Sequence, residues 1–150
     1  MKQRMKFEGN VIFELRDKDG NLKMRDEVKN GITDAGFDAI AARLFSSGSS
    51  SFAVIGIGDS DTAFSASQTD LQGSNKYRKT GSYAHTVGTK IVTITTTWGV
   101  DEPIAGTVTV KEVGLFDNTV GGNMLSRLTR SVITKLSTDV LTVIYTITMS

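Results

Sequence analysis

Apolar and polar residues alternate most clearly in the C-terminal part of the chain. Lys90–Trp98, Thr107–Asp117, Asn123–Ser131 and Thr138–Met149 all read as strands. In the last of these, Leu141, Val143, Tyr145, Ile147 and Met149 share one parity, and Thr142, Thr146 and Thr148 the other. Side chains switch faces at every residue of a strand, so this pattern predicts a sheet with one buried and one polar surface. In Lys90–Trp98 the same rule puts Val92, Ile94 and Trp98 on one side, with Thr93, Thr95 and Thr97 opposite.

Val108 and Val110 share a parity, but Val113 and Leu115 share the other. An extra residue at Glu112-Val113-Gly114, a β-bulge, would return both pairs to the core. Gly121-Gly122 marks a further turn before Met124–Leu128.

The N-terminal half is less regular. Met5–Leu15 alternates imperfectly, with Phe7, Val11, Phe13 and Leu15 on one parity. Asp19-Gly20 inside Asp17–Asn21 is a hairpin signal, and Leu22–Val28 is the predicted return strand, charged enough for a sheet edge. This gives an N-terminal β-hairpin over about residues 5–28, ended by Asn30-Gly31. One helix is predicted over about 33–46. Thr33 can cap it, Asp34 suits its first turn, and Ile32 and Phe37 hold the positions of a hydrophobic staple. Phe37, Ile40, Ala41 and Leu44 form its apolar stripe, which Gly36 weakens. A serine-rich linker follows at 46–51, then a short buried strand at Phe52–Ile57. Gly58–Asn75 is a long polar loop, a length often associated with binding or assembly. Lys76–His85 alternates weakly as one more strand, and Gly88 turns it into the next.

Composition fits one domain spanning 1–150. The chain has 150 residues and no cysteine, which excludes a disulfide framework or a thiolate metal site. Its 17 basic and 16 acidic residues leave a net charge of +1, so no broad field gathers nucleic acid or an anionic membrane. Met1–Lys6 is basic but lacks the apolar core of a signal peptide, and no apolar run approaches the ~20 residues that span a bilayer. Synthesis and retention in a cytoplasm are expected, with release by cell lysis.

Candidate chemistry is thin. Gly56-Ile57-Gly58 begins a dinucleotide fingerprint, but Asp61 stands where the third glycine belongs and no helix follows, so a tight strand exit is favoured. Asp59, Asp61 and Asp70 are spaced unlike a calcium loop and read as solvated. His85, the only histidine, has no Gly-x-Ser-x-Gly elbow to serve. Glu112 is the best single acid for glycosidic chemistry, yet bonding to backbone donors or pairing with Arg127 is the favoured role. Arg127, Arg130 and Lys135 read as a charged strand face. Trp98 suits either the core or an exposed anchor. No catalytic, cofactor or metal residues are assigned, and a non-enzymatic role is expected.

The order of these motifs resembles a family of small structural proteins of tailed bacteriophages. It is carried over about residues 28–149 by Asn30-Gly31-Ile32-Thr33-Asp34-Ala35-Gly36, Phe52–Gly58, Glu112–Asp117, Met124–Arg127 and Asp139–Thr148. The loop at 59–73 departs from the family in lacking its usual proline. The resemblance implies a virion component present in many copies, with no catalytic residues to carry over.

The expected fold is mainly β: an antiparallel β-sandwich of jelly-roll type with one α-helix packed on it. The expected role is a capsid decoration or cement protein, a homo-oligomer bound to the major capsid protein or other virion proteins. A tail, collar or fibre-associated adaptor is the first alternative. A carbohydrate-binding module on the host-facing surface is the second, with Trp98, Tyr77 and Tyr83 as its stacking platform. The candidate contact residues are Phe64, Tyr77, Tyr83, Trp98, Thr142, Thr146 and Thr148, with the 46–51 linker and the 58–75 loop.

Overall fold

The computed structural model describes residues 6–45 and 51–150. Its strands are β1 (Phe7–Arg16), β2 (Leu22–Ile32), β3 (Val54–Gly58), β4 (Lys76–Thr80), β5 (Ser82–His85), β6 (Ile91–Trp98), β7 (Val108–Phe116), β8 (Met124–Lys135) and β9 (Val140–Met149). One helix, α1 (Asp34–Phe45), separates β2 from β3. The chain is mainly β, with strand order β4-β3-β7-β8-β2-β1-β9-β6-β5 and every pairing antiparallel.

The order bends into two facing layers at two corners. β2 pairs with β1 from Leu22 to Asn30, then passes to the other layer, where Gly31 and Ile32 pair with Arg127 and Ser126 of β8. At the opposite side β4 and β5 are separated by Gly81 alone, so one run of chain edges both layers. Gly81 donates its N–H to Ala53 O at 2.7 Å, which closes that seam. Both corners are glycines for a steric reason. A Cβ on Gly81 would lie 2.8 Å from Thr95 O, and one on Gly31 would lie 2.5 Å from the Phe64 ring. The result is a nearly closed, barrel-like β-sandwich. The single strand predicted at Lys76–His85 is therefore two, and the chain runs on through Asn30-Gly31 instead of breaking there.

The alternation places the core as expected. Leu141, Val143, Tyr145 and Ile147 are buried, while Thr142, Thr146 and Thr148 lie half-buried on the opposite face. They meet Val11, Phe13 and Leu15 of β1 and Ile94 and Trp98 of β6 in one apolar cluster. Val108 and Val110 join it together with Val113 and Leu115, as the parity shift predicts. The slip differs from the single extra residue expected at Glu112-Val113-Gly114: Val110 pairs with Ile133 and Glu112 with Thr129, so Lys111 alone on β7 faces three residues of β8.

Helix α1 starts as predicted. Thr33 Oγ1 accepts the Gly36 N–H at 2.9 Å and donates to Met124 O. Its packing face differs from the predicted stripe. Gly36 and Ala39 are buried, Ile40 packs on the core, and Phe37 is 47% exposed, set edge-on to Phe7 at 6.4 Å. Gly36 also permits a close approach, since a Cβ there would meet Leu125 O at 2.4 Å. The side chains of Ala41 and Leu44, and the linker at 46–50, lie outside the described residues. Arg43 ties the helix to the sheet through Asp117 at 2.8 Å and stacks 4.0 Å over the Phe52 ring.

Candidate interaction surface

β5, β6, β9 and β1 lie side by side, and directly opposed residues share a face of the sheet. On the face away from the core, one row runs Ala84, Thr93, Thr146, Asn10. The next runs Ser82, Thr95, Ile144, Ile12, and a third joins Thr97 to Thr142 and Glu14. The Thr97 and Thr142 hydroxyls lie 3.3 Å apart. Across β5, β6 and β9 this face carries no charged residue; charge begins on β1 with Glu8 and Glu14. Thr142, Thr146 and Thr148 thus belong to a broader threonine field that includes Thr93, Thr95 and Thr97.

The aromatic candidates do not gather. Trp98 is 1% exposed and sits in the core beside Leu141, so it leaves the set of contact residues. Tyr77 is partly buried against the same core. Tyr83, 63% exposed, stands on the rim of an apolar groove of about 510 Å³ near Phe7, Ile40, Phe52 and Val92. A stacking platform of Trp98, Tyr77 and Tyr83 is therefore not formed. Phe64 is 38% exposed and lies against the Gly31 corner, where it covers backbone.

The loop from Asp59 to Asn75 is fastened to the outer side of β3 and β7. Leu71 packs there with Val54, Phe116 and Met124 in a second apolar cluster. Glu112 and Arg127, both fully buried, clamp the loop. Arg127 Nε donates to Glu112 Oε2 at 2.7 Å, and Arg127 Nη1 donates to Thr62 O at 2.9 Å and to Gln68 Oε1 at 3.0 Å. Glu112 also accepts the N–H groups of Gln72 at 3.0 Å and Gly73 at 2.7 Å. The favoured role for Glu112 holds in both its parts.

The other expected charges are engaged as well. Arg130 stacks 4.7 Å over the Phe13 ring and donates to Asp26 at 3.0 Å. Lys135 is buried and donates to Gly99 O at 2.8 Å. The reading of Arg127, Arg130 and Lys135 as one charged strand face is thus corrected: Arg127 and Lys135 are buried, and all three side chains end on oxygen partners.

Asp59 accepts from Asn75, Asp70 pairs with Lys76 and Arg78, and Asp61 lies 3.5 Å from Lys111. Among the described residues no group of three or more His, Cys, Asp or Glu is placed to hold a metal ion. His85 Nδ1 lies 2.7 Å from Ile91 O, across its own hairpin.

These acids imply a pH dependence. Burial raises the pKa of Asp117, but two hydrogen bonds from Asn123 and the Arg43 partner outweigh it and hold it below the ordinary 3.8. In Asp70 burial is likewise overcome, by Lys76 and Arg78, and Asp59 is lowered chiefly by the Asn75 amide. A carboxyl with a depressed folded pKa stabilises fully above its unfolded value and loses that contribution as pH falls through the folded one. Urea midpoints should stay level above about pH 5 and drop steadily below about pH 4. A midpoint that rises on acidification would contradict these assignments.

Comparison with family models, with curated proteins and with solved structures finds no match.

Proposed function

We propose that the chain is a structural building block of a tailed-phage particle, acting as a decoration or cement protein on the head. The observation that carries this reading is the uncharged threonine field on β5, β6 and β9. A face of that kind, free of charge and made of short β-branched side chains, loses less hydration and side-chain entropy than a charged one when another protein covers it and pairs its hydroxyls. The order of motifs from Asn30 to Thr148 supports the same reading. Neighbouring capsid subunits would be bridged through this field, and a protein that binds only the assembled shell stabilises that shell.

Quantitative gel staining of purified particles tests the location. Hundreds of copies per particle are expected; a dozen or fewer would place the chain in a collar, tail or fibre adaptor. A second arm tests the face. Thr93→Lys with Thr146→Lys should abolish binding to heads that lack the protein, with the isolated chain still folded. Undiminished binding of that variant would remove the threonine field from the contact.

A further inference from the structure

The two ends of the strand order are guarded differently. β4 carries Lys76, Arg78 and Lys79 among its five residues. β5 carries Ser82, Tyr83, Ala84 and His85, all exposed and none of them a carboxylate, lysine or arginine. Among the described residues β5 pairs with β6 on one side and with no strand on the other. Charges on a free edge prevent chance pairing, and a bare edge is a template for another strand. The same hairpin leaves three apolar side chains uncovered: Tyr83 at 63%, Val87 at 91% and Ile91 at 39% exposure.

We propose that β5 pairs antiparallel with β5 of a second copy across a two-fold axis, joining the two sheets edge to edge. The sequence of β5 is self-complementary in charge. No like charges meet when two copies oppose each other, whereas the same operation on β4 would set lysine and arginine against themselves. Register is limited too. A two-fold axis perpendicular to the sheet keeps each face on its own side, so directly opposed residues must share parity. The axis therefore passes beside a residue, and pairing most of the four-residue strand puts it beside Tyr83 or beside Ala84. Either register continues the threonine field from one copy into the next, doubling the face assigned above to subunit contacts. The pairing rests on the reading of the chain as a repeated building block. It is tested in solution, where its failure is distinct from absence of the chain from particles.

Sedimentation of the full chain across the micromolar range should give twice the 16.2 kDa mass of one copy. Ala84→Lys and Ala84→Glu, each alone, should weaken association by at least about tenfold, since the two like charges are directly opposed with the axis beside Ala84 and diagonal neighbours on the same face with it beside Tyr83. An equimolar mixture of the two variants should restore the dimer. Circular dichroism checks that both stay folded. Hydrogen exchange on the unaltered chain gives an independent reading: the amides of Ser82–His85 should slow as concentration rises. A wild-type chain that stays monomeric would overturn the pairing, as would assemblies larger than a dimer. Variants that dimerise like the wild type would overturn it too.

Discussion

Replacing Arg127 by Met is expected to remove about 3–5 kcal/mol of stability and to free the 59–75 loop. Arg127 and Glu112 are both fully buried, so neither charge is solvated by water. With the guanidinium gone, Glu112 keeps only the Gln72 and Gly73 N–H donors, too few for a buried carboxylate. Thr62 O and Gln68 Oε1 lose their donor in the same step. The double change Glu112→Gln with Arg127→Met removes both charges and should cost less than the single one. Urea denaturation measures the difference, and limited proteolysis should show new cleavage between Asp59 and Asn75. An Arg127→Met chain as stable as the parent would show that the buried pair contributes nothing to holding the loop.

Trp98→Ala comes next, at about 3–5 kcal/mol. Trp98 is among the largest fully buried side chains and lies against Leu141 in the central cluster. Its removal leaves a cavity that the paired strands of a nearly closed sheet cannot collapse to fill. Domains of this kind are stable by only about 5–15 kcal/mol, so much of the chain should be unfolded at moderate temperature. Trp98→Phe keeps part of the volume and should be distinctly milder. If Trp98→Ala melted like the parent, the tryptophan would not be packed as described. The experiment also bears on glycan binding, for which the loss would have to leave the fold intact.

The parts of this architecture governed by near neighbours were readable along the chain. The parity of β9, the Asp19-Gly20 turn and the Thr33 cap each depend on residues a few positions apart, and each stands as read. The two corners depend on distant partners. Gly81 looks like any glycine in a weak strand, and only Thr95 and Ala53, far away in sequence, show why it bends there. The pairing of Glu112 with Arg127 stands as read, on the outer side of β7 beneath the loop. One signal for that cover did exist. β3 reads Val-Ile-Gly-Ile-Gly with no polar position, and a strand apolar on both parities is covered on both faces. The threonine field was legible strand by strand. The unguarded edge at β5 was not, because edge position follows from strand order, which parity does not determine.

The placement of β9 has a consequence for how the chain is made. It lies between β1 and β6, paired with both along nearly its whole length. Of the nine described strands the last in the sequence therefore occupies the middle of its layer, and β1 waits for it. Until Val140–Met149 leaves the ribosome, β1 and β6 each present an unpaired side to solvent. A chain stalled or clipped before that point would be an open template for its own copies. Synthesis through β9 is thus the step that turns a sticky nascent chain into a nearly closed sheet.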